Sequence, residues 1–281
     1  MNGCLIVSLG YICELYKTSI FMKLKPLFSI QPALKLGVII LLLSAFAKPA
    51  NAQKADDIIN KYVAAMGGKD AWSKVTGLRM TAKVDAQGMT IPLDMISLSD
   101  GRSYTSFEFQ GKNIAQDVFD GETLWGMNFM TMKAEKSDAE ATENKKREAK
   151  DFPNEIIGYA DRGYKADYVG KETAEGVKCF KIKITKKTTL VDGKEEENVT
   201  YHYFDDETYA LIMSESTIRM GEAKGQIAQT VYSDYQEVNG VYFPFSILSR
   251  LKDGQGQGVV IEKIEVNPKV EDALFKFPVT E

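Results

Sequence analysis

From residue 54 to residue 66 the apolar side chains recur at helical spacing, with Ile58, Ile59, Tyr62, Val63 and Met66 on one face. Asp56 and Asp57 suit the positive end of a helix, and Gly67-Gly68 supplies its stop. Lys69-Asp70-Ala71-Trp72 is a short turn expected to dock Trp72 on the core. The period then changes to two. Leu78, Met80, Ala82 and Val84 alternate with Arg79, Thr81, Lys83 and Asp85, the pattern of a half-buried strand. Ala86-Gln87-Gly88, Asp100-Gly101, Gly111-Lys112 and Asp120-Gly121 then punctuate the chain at the spacing of successive antiparallel hairpins.

The alternation stops at Lys133–Asp151, where charged residues crowd a stretch almost without large apolar side chains. A solvated helix or a crossover is expected there. Phe152-Pro153 and Ile156-Ile157 follow, placed to dock on the sheet or cover an opening. Strands resume at Lys165–Lys171 and Val177–Thr185 and continue to Gly258–Val266, with Asp192-Gly193, Asp205-Asp206, Asn239-Gly240 and Asp253-Gly254 as turns. Gly254, Gly256 and Gly258 lie between strands with no helix after them, so they mark a hairpin tip and not a nucleotide loop. About eleven strands and two helical segments predict a mainly β (α+β) chain, with one domain over 53–281.

Residues 1–52 read differently. Lys23, Lys25 and Lys35 precede the apolar run Leu36–Ala47, which is too short to cross a bilayer, and Ala50-Asn51-Ala52 follows as a small-x-small site. Residues 22–52 therefore predict a cleavable export signal cut after Ala52, with residues 1–21 an upstream extension and the mature chain in the periplasm. Cys4 and Cys13 fall in the leader, leaving Cys179 as a small filler on a strand.

The net charge is −4, but five lysines and one glutamate precede residue 53, so the remainder stands at −8. An acidic body with no basic stripe argues against a nucleic-acid partner. One histidine, His202, sits within an alternating strand, and no nucleophile elbow, zinc helix, phosphate loop or C-x-x-C motif is present. No enzyme, metal or cofactor is expected. Asn198-Val199-Thr200 matches a glycosylation sequon by chance. The mature chain is rich instead in deformable apolar side chains, with nine methionines once Met1 and Met22 are set aside. A sheet with so little helix to cover it leaves room for a partly filled hollow.

Asp120-Gly121-Glu122-Thr123-Leu124-Trp125, followed by Asn128-Phe129, resembles the D-G-x-T-L-W strand entry of the LolA/LolB-like lipoprotein-sorting proteins. The order of an N-terminal helix, the Arg79 strand and successive hairpins is similar too. Tyr168–Glu172, Glu175–Phe180, Tyr232–Tyr235, Asn239–Pro244 and Ile264–Asn267 resemble the Bacteroidetes-type branch of outer membrane lipoprotein-sorting proteins. The resemblance spans 53–281. It implies a half-open antiparallel β-barrel whose mouth is covered by helices and whose apolar cavity holds acyl chains of lipoproteins or lipids. Partner proteins at the inner and outer membranes would follow, with a monomeric carrier between them.

Cavity-lining residues on this reading are Met80, Leu93, Met95, Phe107, Phe109, Leu124, Trp125, Met127, Phe180, Ile182 and Ile184. Carriers of this family tether the lid through an arginine on an early strand, which points to Arg79 as the latch and Arg102 as the second choice. The insert at 133–151 and the tip at Glu195–Glu197 depart from the carriers. An alternative reading is the same fold filled by its own side chains, serving as a sensor or assembly module at the envelope.

Overall fold

The computed structural model describes residues 50–86, 89–109 and 111–278; the leader expectations for residues 1–49 lie outside them. Helix α1 (Ala50–Ala65) begins at the expected cleavage tripeptide and runs to the glycine pair. A short helix α2 (Lys69–Trp72) follows. The meander then runs β1 (Gly77–Ala86), β2 (Met89–Leu98), β3 (Ser103–Phe109), β4 (Lys112–Phe119), β5 (Leu124–Met127) and β6 (Ala134–Lys136). Helix α3 (Ala139–Glu148) and a loop through Tyr164 lead into the second half. That half comprises β7 (Lys165–Ala174), β8 (Val177–Thr185), β9 (Thr189–Val191), β10 (Lys194–Glu196), β11 (Val199–Asp205), β12 (Leu211–Thr217), β13 (Ile227–Val238), β14 (Val241–Leu251) and β15 (Gly256–Val266).

Thirteen of these strands form one antiparallel sheet in the order β6-β5-β4-β3-β2-β1-β15-β14-β13-β12-β11-β8-β7, while β9 and β10 pair separately. The sheet is not closed: β6 and β7 are its two edges. It is two strands wider than the sequence pattern implied. Strands spaced about 4.8 Å apart would spread β2 through β7 over about 40 Å if flat. Yet one continuous apolar cluster joins α1, Met80 and Leu93 to Tyr168 and Phe180. The sheet therefore curls, giving an inner face around α1 and an outer face.

Helix α1 lies across the strands on that inner face. Lys54 sits 3.8 Å from the Tyr168 ring centre on β7, Tyr62 packs 5.2 Å from Phe204 on β11, and Tyr242 on β14 donates its N–H to the Met66 carbonyl. Only Ser246–Arg250 of β14 pair with β15, so Val241–Phe245 splay away. Trp72 docks beside that opening, edge-on to Phe243 with its indole N–H on the Met66 carbonyl at 2.9 Å. Gly67, at φ +108°, passes against the Gly240 carbonyl, where a β-carbon would collide.

The outer face of the first half is covered by the C-terminal segment. Asn267 accepts from the Thr76 and Gly77 amides and donates to the Lys74 carbonyl, pinning the segment's start. Phe275 is fully buried against Ile96, Tyr104, Val118 and Trp125. Its carbonyl accepts from Trp125 Nε1 at 2.9 Å, and Arg102 lies over its ring while pairing with Asp272.

The charged insert and the polar hairpin tip pack on each other. Asp138 caps α3, Asn144 holds both backbone groups of Leu190, and Arg147 pairs with Glu195 at 2.7 Å. The α3 helix is thus docked on the β9–β10 hairpin through polar groups. Cys179 is fully buried, and burial pushes its thiol up to about 11.

Replacing Phe275 by Ala empties the outer-face cluster and is expected to cost about 3–5 kcal/mol. Urea unfolding reads this as a lower midpoint at unchanged slope; an unmoved midpoint would mean the segment contributes nothing to the fold.

Candidate functional site

The inner face is laid out by register. Ile261, Ala82, Leu93, Phe107 and Ile114 form one row across β15-β1-β2-β3-β4, and Ile264, Met80, Met95 and Thr105 form the next. Ala82 and Ile114 are closed off, whereas Met80, Leu93 and Met95 are half-buried. Phe109 continues the apolar surface toward the β3–β4 tip. Phe129 folds back over it from the β5–β6 turn, 5.0 Å from Phe109 and 6.4 Å from Phe107, and remains 47% exposed. Met89 and Met130, at the same end, are exposed at 52% and 90%.

The other half of the inner face is filled. Ile182, Ile184 and Phe204 have no exposed surface, covered by α1 and by Ile156 and Ile157. These two isoleucines belong to the loop 152–164, which docks on the sheet as its apolar pairs predict. The loop satisfies its own backbone: Asn154 Oδ1 accepts from the amides of Ile156 and Ile157, and Arg162 donates to the carbonyls of Phe152, Asn154 and Ile157. Between α1 and this loop runs a cleft of about 370 Å³ bordered by Ile59, Val63, Ile156, Ile157 and Tyr159.

Charge fastens the loop to the sheet. Lys186 Nζ lies 3.0 Å from Asp151 Oδ2 and 2.5 Å from Glu155 Oε2. Tyr164 donates to Asp151 at 2.6 Å, and Tyr159 donates to Asp56 on α1. His202, 3% exposed, brings Nε2 to 2.9 Å from Glu155 Oε1. Burial opposes ionisation of Glu155, but the His202 imidazole and the Lys186 ammonium outweigh it and hold the carboxyl well below its ordinary 4.5. Burial likewise opposes the charge on Lys186, and the two carboxylates overcome it, raising the amine above its ordinary 10.5. His202 thus lies buried against Glu155 beneath the loop, with neither ring nitrogen hydrogen-bonded, a position its place in an alternating strand did not reveal.

The expected cavity residues divide into groups. Met80, Leu93, Met95, Phe180, Ile182 and Ile184 meet in the inner cluster, with Phe107 and Phe109 at its open end and Leu124 buried opposite Phe119 on the same side. Trp125 and Met127 require correction. They point to the outer face, where the C-terminal segment covers them. Arg79 does not reach the helix or the loop either. Met80 faces inward, so its neighbour faces outward, and there Arg79 makes two hydrogen bonds to Asp94 at 2.9 and 2.8 Å. Arg102, the second choice, holds the C-terminal segment instead. Arg162 donates only to carbonyls of its own loop and so is not a latch between strand and helix.

Among the described residues no group of three or more His, Cys, Asp or Glu is arranged to hold a metal ion, and no helix is long and apolar enough to cross a membrane. No family model matches the chain. No curated protein matches it either. Similar solved structures include a DUF1329 family protein from Desulfovibrio piger, at 12% identity over 79% of this chain and 97% of that one, with a TM-score of 0.48. A LolA superfamily protein from Nitrosomonas europaea is similar at 12% identity over 79% and 97%, with a TM-score of 0.47. Likeness at this level concerns shape and transfers no residue role.

Removing the Lys186 cation leaves two carboxylates under the loop, so Lys186→Ala is expected to cost about 3–5 kcal/mol in unfolding free energy. The carboxyl of Glu155 is depressed, so its contribution is complete above about pH 4.5 and drains away as pH falls toward the lowered value. The contribution of Lys186 is complete below 10.5 and is lost only as pH rises through its raised value. Glu155→Gln should therefore flatten the acid limb of a melting-temperature profile; a limb as steep as in the unaltered protein would remove Glu155 from the account.

Proposed function

We propose that the protein is a periplasmic carrier that holds acyl chains of lipoproteins or lipids on its inner face for delivery toward the outer membrane. The observation that carries this reading is the half-buried strip of Met80, Leu93, Met95 and Phe109, continued by exposed Phe129 and Met89. Each methylene buried from water is worth about 0.8 kcal/mol, so a fatty chain in the periplasm needs such a surface. Methionine side chains adapt to chains of differing shape without enforcing one. The export signal read at 22–52 supports the compartment. The cleft beside α1, with Ile59, Val63 and Ile157 on its walls, offers a second apolar approach to the interior.

A second reading is favoured by the filled half of the sheet. With Ile182, Ile184 and Phe204 sealed under the isoleucine loop, the fold can also serve as an envelope sensor or assembly module without a fatty cargo.

Native mass spectrometry of the mature chain, gently purified from the periplasm, separates the two. The carrier reading expects bound mass in the range of an acyl lipid, displaced by added palmitate. Leu93→Glu, placing a charge on the half-buried strip, should reduce occupancy about tenfold or more by desolvation of the carboxylate. A ligand-free protein, or equal occupancy in the Leu93→Glu variant, overturns the carrier reading in favour of the module.

A further inference from the structure

The outer face of the second half holds a trough of about 610 Å³, within the size range of small-molecule sites. Its floor follows a register row across β8, β11 and β12, Lys183–Tyr201–Glu215. These residues alternate with the inward-facing side chains, so the trough is on the opposite side of the sheet from the acyl strip. Val199 and Ile227 add an apolar patch beside Tyr201. Arg219, Lys252 and the end of the β9–β10 hairpin form the rim.

The lining is nearly balanced in charge: Lys181, Lys183, Arg219 and Lys252 oppose Glu196, Glu197 and Glu215. Three opposed pairs stand apart, Lys183–Glu197 at 3.6 Å, Arg219–Glu196 at 3.8 Å and Lys252–Glu215 at 4.0 Å. Each is longer than a hydrogen bond. Glu215 is the fixed point. It is 7% exposed and accepts from the Tyr203 hydroxyl at 2.6 Å and from Gln229 Nε2 at 2.7 Å. Burial opposes its charge, but these two bonds with Lys252 and Lys181 keep its carboxyl below the ordinary value. An ionised carboxylate offers about four acceptor positions, and two are taken.

A polyanion entering this trough meets three carboxylates, and a polycation meets four cations. A hydroxyl group suits both, because one oxygen donates to a carboxylate while accepting from an ammonium. A bridging oxygen of this kind is nearly as good as a direct contact and spans a slightly wider gap. Repeated hydroxyls beside a tyrosine ring and two aliphatic side chains match a chain of sugar rings, with polar edges and C–H faces. We propose that this outer-face trough binds an oligosaccharide, with Tyr201 as the platform and the Lys183, Lys252 and Glu215 side chains gripping its hydroxyls.

The test is calorimetric titration of the full mature chain with chitotetraose and with maltotetraose. At least one should bind, with affinity changing less than about threefold between roughly 50 and 500 mM salt, since hydroxyl contacts are not screened as ion pairs are. Tyr201→Ala and, separately, Lys252→Met should each weaken binding about tenfold or more, a change of about 1.4 kcal/mol. Both variants are checked for an unchanged melting temperature. Phe109→Ala, on the inner face, should bind sugar as the unaltered protein does and lose only acyl occupancy. Three results overturn the proposal: neither sugar binding, both trough variants binding normally, or inorganic pyrophosphate binding in place of sugar with steep salt dependence.

Discussion

Covering an inner face thirteen strands wide is the constraint under which the rest of this structure is arranged. Helix α1 has 16 residues, about 24 Å of length, and lies across only the β7–β14 portion. An apolar face left to water is unfavourable in proportion to its area. On that face the chain adds one further piece, the isoleucine loop, while the C-terminal segment covers the opposite face. The inner side of β1 to β3 keeps Met80, Leu93 and Met95 only half-buried.

The loop fills its place without a helix's internal hydrogen bonds, so its polar groups must be satisfied individually. Asn154 and Arg162 do this from within, and Lys186 holds the loop from the sheet. A buried ion group of this sort adds little net stability over an apolar packing, but it is costly to break one side of it.

Much of the fold was legible because a two-residue period leaves a strong trace. Leu78 to Val84, and Phe180 to Ile184, announced both the strands and the face each residue takes. The D-G and N-G pairs located the turns. What failed did so for local reasons. Trp125 and Met127 belong to a four-residue strand, too short for a period to declare which side is inward, and the ladder between β3 and β4 slips its register at Ser103–Thr105. Arg79 was misplaced by analogy against its own alternation, since Met80 next to it was already assigned inward. The anchoring of the loop left no trace at all, because Asp151, Glu155 and Lys186 share no spacing and meet only through tertiary structure. The trough on the outer face was hidden for the same reason. Its row is a cross-strand feature, assembled from residues on three strands that are far apart in sequence.

One pairing in the middle of the sheet has a bearing on how the molecule is made. Leu78 in β1 lies opposite Val266 in β15, so the first strand gains its second neighbour from the last one. Contacts between such distant parts of a chain form slowly, because the intervening loop must be closed first. The central ladder cannot assemble until the final strand has been synthesised. The hairpins on either side, such as β1–β2 and β13–β14, pair close neighbours in sequence, so joining the two halves of the sheet falls to the last strand.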